Sequence, residues 1–294
     1  MSDVAAKLVP PTRAEFEQRA EKPADIGDVS RALSISEQLV NNTLLRRLFI
    51  LAALACIWQL YAMWIQNPLL FPTFTEVVES MWRETKNGVL PDRAMTSIRV
   101  LLTGYAVGVA CATVLSVVAV TTRIGSDLLS TLTAMFNPLP AIALLPLALL
   151  WFGLGMPSIV FVLIHAVLWP LALNTHSGFQ SVSETLRMAG QNCGLTGLRY
   201  VTHLLIPAAF PSILTGLKIA WAFAWRTLIA AELVFGVSAR SGGIGWFIFE
   251  RRNQLETADV FAGLFVVIVI GLLVESLIFR TIENRTVRKW GMQR

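Results

Sequence analysis

Five or six stretches of this chain are apolar over nearly the length a helix needs to cross a bilayer, about 20 residues, and that restricts the fold more than any motif does. Inside hydrocarbon the backbone amides and carbonyls find no water, so a segment that spans alone must satisfy them internally as a helix. The stretches lie near Arg47 to Ile65, Ile98 to Val120, Leu128 to Phe152, Ser158 to Leu173, Pro207 to Phe235 and Val260 to Phe279. The fourth is the weakest, because His165, Trp169 and Pro170 dilute a short run. With 55% hydrophobic and 15% charged residues, the chain is too apolar for an ordinary water-soluble domain. The expectation is an all-α integral membrane protein of about six transmembrane helices. Residues 41–294 form the membrane domain, and residues 1–40, which mix charges with Pro10, Pro11 and Pro23, form a mobile cytoplasmic tail without the apolar core of a signal peptide.

An even number of spans places both termini on one side. With the termini inside, short inner segments hold Arg46, Arg47, Arg123, Arg187, Arg199, Arg280, Arg285, Arg288, Lys289 and Arg294. The outer segments hold fewer, Arg83, Lys86, Arg93, Arg240, Arg251 and Arg252, as the positive-inside rule requires. The net charge of +5 is thereby accounted for by topology, and no basic patch with interleaved aromatics points to nucleic acid. Cys56 and Cys111 fall in spans and Cys193 outside them, so no pair suits a disulfide or a metal.

The longest interruption between spans is residues 181–207. Ser181 with Glu184 three residues on reads as a capping box, Gly194 breaks the helix, and Thr196 caps a second one running to Pro207. Leu186, Ala189, Cys193, Leu198, Val201 and Leu205 recur at helical spacing and give the pair an apolar side. Two capped polar helices tethered between spans suit docking to a cytoplasmic partner.

Elsewhere, Thr73 or Thr75 can cap a short amphipathic helix around Phe74 to Trp82. Gly104, Gly108, Ala112 and Ser116 line one face of the second span, a pattern that lets a helix approach closely, from within the chain or from another. Pro138, Pro140 and Pro146 break or kink the third span, and backbone freed in this way must be buried in protein or face water, so Pro138 and Pro140 are candidates for a pathway. Among charges near or within spans, Arg99, Lys218 and Glu275 lie where they can snorkel to the interface. Arg226 and Glu232 are the candidates for a pathway or an intramembrane pair.

No G-x-x-x-x-G-K-[ST], H-E-x-x-H, G-x-S-x-G or C-x-x-C pattern occurs, so no catalytic centre, metal or cofactor is expected and any ATP would be hydrolysed by a partner. His165, His176 and His203 are scattered and read as packing residues. A secondary transporter would offer an internal repeat and several mid-membrane acids, whereas here Glu232 is the one well-embedded acid. A non-transporting assembly protein would need neither the capped pair nor the proline-broken span.

Gly194 followed thirteen positions later by Pro207, with Leu204, Leu205 and Ile206 before it, resembles the EAA loop of binding-protein-dependent ABC importer permeases. That loop carries Glu-Ala-Ala ahead of the glycine; here those positions hold Met188, Ala189 and Gly190. TSIRVLLTG, NPLPAIALLPLALLWFG, WPLALNTHSG and AFPSILTGLKIAWAFAWRTLIAAEL are similar to the nitrate, sulfonate and taurine branch, and the resemblance covers roughly Leu45 to Gly291. It implies the type I, MetI-like permease fold in a bacterial inner membrane, a homodimer surrounded by lipid. It also implies a cytoplasmic ATPase dimer gripping residues 181–207, through Glu184, Met188, Ala189, Gly190, Gly194 and Pro207, and a periplasmic binding protein that delivers a small, mostly anionic solute.

Overall fold

The computed structural model describes residues 42–235, 242–289 and 291, so the N-terminal tail, Arg240, Trp290 and Arg294 lie outside the described residues. The chain divides into two units, residues 1–54 and 55–294. Described residues of the first unit open helix α1 (Thr43–Ile65), where the Asn42 carboxamide oxygen accepts from Leu44 N–H at 3.0 Å. Leu48, Phe49 and Leu51 there are exposed, as suits side chains that meet lipid. In the second unit Trp58 donates to the Pro72 carbonyl at 3.0 Å and stacks on Phe265 with ring centroids 5.8 Å apart.

Helix α2 (Phe74–Lys86) starts at Thr73, whose hydroxyl accepts from Glu76 N–H while the Glu76 carboxylate accepts from Thr73 N–H. The capping box of this chain is thus on the short amphipathic helix. Helix α3 (Val89–Thr121) follows, then α4 (Arg123–Phe136), a 3-10 turn (Ala141–Leu144) and α5 (Leu145–Phe152). The stretch Leu128 to Phe152, expected to be broken or kinked by its prolines, is bent by 87° between α4 and the segment from Ala141. The break falls at Asn137–Pro140, while Pro146 lies in the first turn of α5, where its missing N–H leaves no bond unmade. Among the described residues five helices are long and apolar enough to span a membrane, or six if the bent pair counts as one.

Helix α6 (Met156–Gln180) holds the centre of the bundle. Gly104 and Gly108 of α3 lie so close to it that an added Cβ would come within 2.6 Å of Leu163 and 2.7 Å of Val167. On its other side Gly178 abuts Ser212, and Gly216 of the helix that follows abuts Asn174. The small-residue face of the second span is therefore consumed by packing within the chain. This enclosure corrects the low rating of the fourth span: half of the apolar window of α6 is buried, the largest share among the candidate spans. His165 and Trp169 can dilute it because neighbouring helices shield it from lipid.

Helices α7 (Glu184–Asn192) and α8 (Gly197–Tyr200) form the interruption. A wide-turned stretch (Val201–Leu205) carries α8 directly into α9 (Ile206–Phe235), with Ile206 N–H bonded to Val201 C=O, five residues back. Pro207 therefore does not stop a helix. It lacks an N–H for the fourth carbonyl before it, and the wide turn takes up that defect. Helices α10 (Ile244–Asn253), α11 (Thr257–Leu273) and α12 (Arg280–Glu283), the last two joined and followed by wide-turned stretches, complete the chain.

Candidate functional site

Two places gather the residues the sequence singles out. The first is α7 with its flanks. Ser181 ends α6, its hydroxyl donating to Gly178 C=O, and Ser183 precedes α7 without a side-chain cap, so the capping box expected of Ser181 and Glu184 does not form. The cause is that α6 runs on to Gln180, which makes Ser181 the end of one helix rather than the start of the next. Arg187 anchors α7 instead, its guanidinium donating to Phe179 C=O at the end of α6 and, at 3.1 Å, to Val182 C=O in the link that follows. At the far end Gly194 adopts φ +77°, and the bonds Gly194 N–H to Gln191 C=O and Leu195 N–H to Gly190 C=O complete a Schellman turn. Gly190 is buried where a Cβ would meet Leu204 Cδ1 at 2.2 Å. Beneath lies an apolar cluster of Phe179, Val182, Val201, Leu204 and Leu205, with Val117 and Val120 from the end of α3 packed against it.

The segment is thus fixed below and open above. Glu184, in the first turn where helix polarity favours an acid, is exposed, as are Ala189, Cys193, Gly194 and Pro207. Of the expected apolar side only Val201 and Leu205 are buried; Leu186 and Leu198 are 44% and 67% exposed, and Met188, outside that set, is 52% exposed.

The second place is a cavity of about 290 Å³ at the proline break. Pro138 and Pro140 line it, with His165 and Trp169 of α6 and Phe223 and Thr227 of α9. Phe136 lies parallel to the Trp169 ring at 5.2 Å and edge-on to His165 at 6.3 Å. Residues 165 and 169 are one helical turn apart and share a face, a signal readable in the sequence but treated there only as dilution.

Arg226 and Glu232 are not on this cavity. Arg226 is exposed and lines a separate groove of about 380 Å³ with Lys218, Trp225 and Glu275. Glu232 is wholly buried and accepts from Ser97 Oγ at 2.8 Å and from Gly245 N–H at 3.0 Å, so its partners are a hydroxyl and a helix start rather than Arg226. Lys218 is paired with Glu283 instead of reaching for an interface.

A model of the family described as binding-protein-dependent transport system inner membrane component matches residues 104–288, from the small-residue face of α3 through the cavity and α7 to the chain's last turns. The chain belongs to that family. Among its relatives, a putative ABC transporter permease protein of Methanocaldococcus jannaschii is 29% identical over 85% of this chain and 94% of its own length. A putative aliphatic sulfonates transport permease protein of Escherichia coli K12 is 30% identical over 77% of this chain and 85% of its own. A nitrate import permease protein of Synechocystis is 33% identical over 60% of this chain and 64% of its own.

The chain is therefore an ABC importer permease of the sulfonate, taurine and nitrate branch, a multi-pass membrane protein with the all-helical MetI-like fold. The sequence missed how this permease closes the end opposite α7. There Asp259, 1% exposed, accepts from Arg83 at 2.7 Å and from Ser80, and Glu84, 5% exposed, pairs with Arg251 at 3.2 Å. Arg93 adds bonds to Gly242 C=O at 2.9 Å and Glu250 at 3.3 Å. In the sequence Arg83, Arg93 and Arg251 read only as topology markers, and Glu84 and Asp259 carry no signal, because most of their partners are far away in the chain.

Proposed function

We propose that this permease forms, as a homodimer in a bacterial inner membrane, the translocation pathway for a small anionic solute of the nitrate, sulfonate or taurine class. Residues 181–207 dock on the ATPase subunits of the importer, with the termini on the same cytoplasmic side. The observation that carries the coupling role is the exposed apolar surface of a rigidly mounted α7. Leu186 and Met188 face out while Arg187, Gly190 and the Schellman turn tie the same helix to α6 and Leu204. A helix held this firmly transmits displacement to α6 and α9 rather than absorbing it. Leu186, Met188 and Leu198 are about half exposed, so a partner that covers each fully gains half of the roughly 1.5–3 kcal/mol that complete burial gives. The printed substrates of the sulfonate and nitrate relatives support the solute class. ATP binding by the partner then biases a two-state arrangement of α6 and α9 around the pathway, and a loaded periplasmic binding protein biases it from the other side. Residues 1–40 are a cytoplasmic tail outside this machinery.

The test is proximity. In the assembled complex a crosslinker placed on exposed Cys193 should capture the ATPase subunit. An active complex in which several linker lengths capture nothing from Cys193 overturns docking at this surface.

A further inference from the structure

The cavity at the proline break is lined by two side chains whose hydrogen-bond donors have no partner among the described residues. Trp169 is 7% exposed, and its indole nitrogen, enclosed by protein, has no hydrogen-bond partner. Both ring nitrogens of His165, one turn earlier on the same helix, are in the same condition. A buried polar group left unpaired is costly, and paired groups in a membrane protein's interior are the rule. An indole N–H can only donate, so whatever completes it must be an acceptor. A neutral imidazole adds a second donor. Among the residues lining the cavity there is no Asp or Glu to repel an anion, and no Lys or Arg to trap one.

We propose that His165 and Trp169 form a transient oxyanion subsite, in which the indole and imidazole N–H groups, enclosed in this conformation, are uncovered as the pathway opens and, with the Thr227 hydroxyl, hold the oxygens of the solute as it passes the proline break. Neutral donors are the apt chemistry for such a place. A pathway must bind strongly enough to admit an ion and weakly enough to release it, and dipoles without a formal charge meet both conditions. The volume of about 290 Å³ gives room for a small oxyanion with some of its water. The Phe136 ring, lying parallel to Trp169 at an interplanar angle of 14°, holds the orientation of the indole. Pro138 and Pro140 have no amide N–H to offer on that wall, and the Asn137 and Leu139 N–H groups are already bonded to Thr133 C=O and Phe136 C=O.

This inference rests on the anionic solute class proposed above, and its experiment separates the two. The complex reconstituted in vesicles with its ATPase and binding protein is assayed for uptake of nitrate and of ethanesulfonate. Trp169→Phe keeps the ring and removes the donor, and His165→Leu removes the imidazole; each should lower uptake at least tenfold, while His165→Gln, which keeps a donor, recovers a substantial part. Variants assembled with the ATPase that transport within twofold of the unmodified permease overturn the subsite. So does a His165→Gln as impaired as His165→Leu. A second measurement stands apart from activity and from any folding defect in those variants. With Cys56, Cys111 and Cys193 replaced by serine, Ala141→Cys on the cavity wall is labelled with a thiol reagent. Either oxyanion at millimolar concentration should slow labelling and glycerol should not. Uptake of oxyanions with unprotected labelling leaves the function standing and removes the subsite. Uptake of neither oxyanion, with labelling unaffected by both, removes the solute class and the subsite together.

Discussion

Where α3 begins, buried carboxylates are matched one by one: Glu232 by Ser97 and Gly245, Asp259 by Ser80 and Arg83, Glu84 by Arg251. Where α3 ends, the bonds run below α7 to the ends of α6, and the upper surface offers Leu186 and Met188 to the surroundings. At the first end the buried carboxylates find their partners within the chain; at the second the apolar side chains are covered only by something laid on them. Stability and coupling should accordingly separate, so that changes at the ionic end unfold the permease and changes at α7 leave it folded but disconnected.

Glu232 should give the largest effect. Its replacement by Ala leaves Gly245 N–H and Ser97 Oγ without an acceptor in a buried place and opens a cavity, a loss of about 3–5 kcal/mol. Glu232→Gln, which retains an acceptor, should lose less. Thermal unfolding of the solubilised permease decides this, and a melting temperature for Glu232→Ala equal to that of the unmodified chain would place the structural weight elsewhere. Arg251→Gln comes next at roughly 2 kcal/mol, below the usual cost of breaking a buried pair because Arg83 still reaches Glu84 and Asp259. Neither variant should change which ATPase subunit is captured by the folded fraction.

At the other end Gly194→Val forces a β-branched residue into φ +77°, at a cost of about 1–3 kcal/mol confined to the Schellman turn. The cost is local, since no atom lies within 4 Å of where its Cβ would go. The expected signature is a small change in melting with ATP hydrolysis no longer linked to uptake. Coupled uptake at the unmodified level in Gly194→Val would break the contrast between the two ends.

The ends also differ in how much of each was legible. Apolar length was sufficient to place most of the spans, and Gly194 with Pro207 marked α7, since those signals are local. Ser181 misled because a serine three residues before a glutamate looks the same whether the preceding helix has ended or, as here, runs to Gln180. The ionic end was opaque for a different reason: Ser80 and Asp259 are 179 residues apart, and Ser97 and Glu232 are 135 apart, separations that no period or motif encodes. His165 and Trp169 fall between these cases. Their spacing was visible, but that no protein atom satisfies them depends on Pro138, Phe136 and Thr227 arriving from other helices.

Met188 supplies the finest test of the contrast, and the smallest expected effect on folding. It stands where the family loop carries glutamate and is 52% exposed, so Met188→Glu touches no buried partner and should shift stability by no more than about 0.5 kcal/mol. If docking at α7 relied on charge, restoring the glutamate would tighten ATPase capture and make it sensitive to salt. If it relies on apolar contact, as the exposure of Leu186, Met188 and Leu198 argues, Met188→Glu should weaken capture severalfold, and Leu186→Asp on the same helix more strongly. Affinity of the solubilised permease for its ATPase, measured across a salt series, distinguishes the two. Tighter, salt-dependent binding by Met188→Glu would show that α7 is closed by an ion pair after all, and that the two ends of the bundle are finished by the same chemistry.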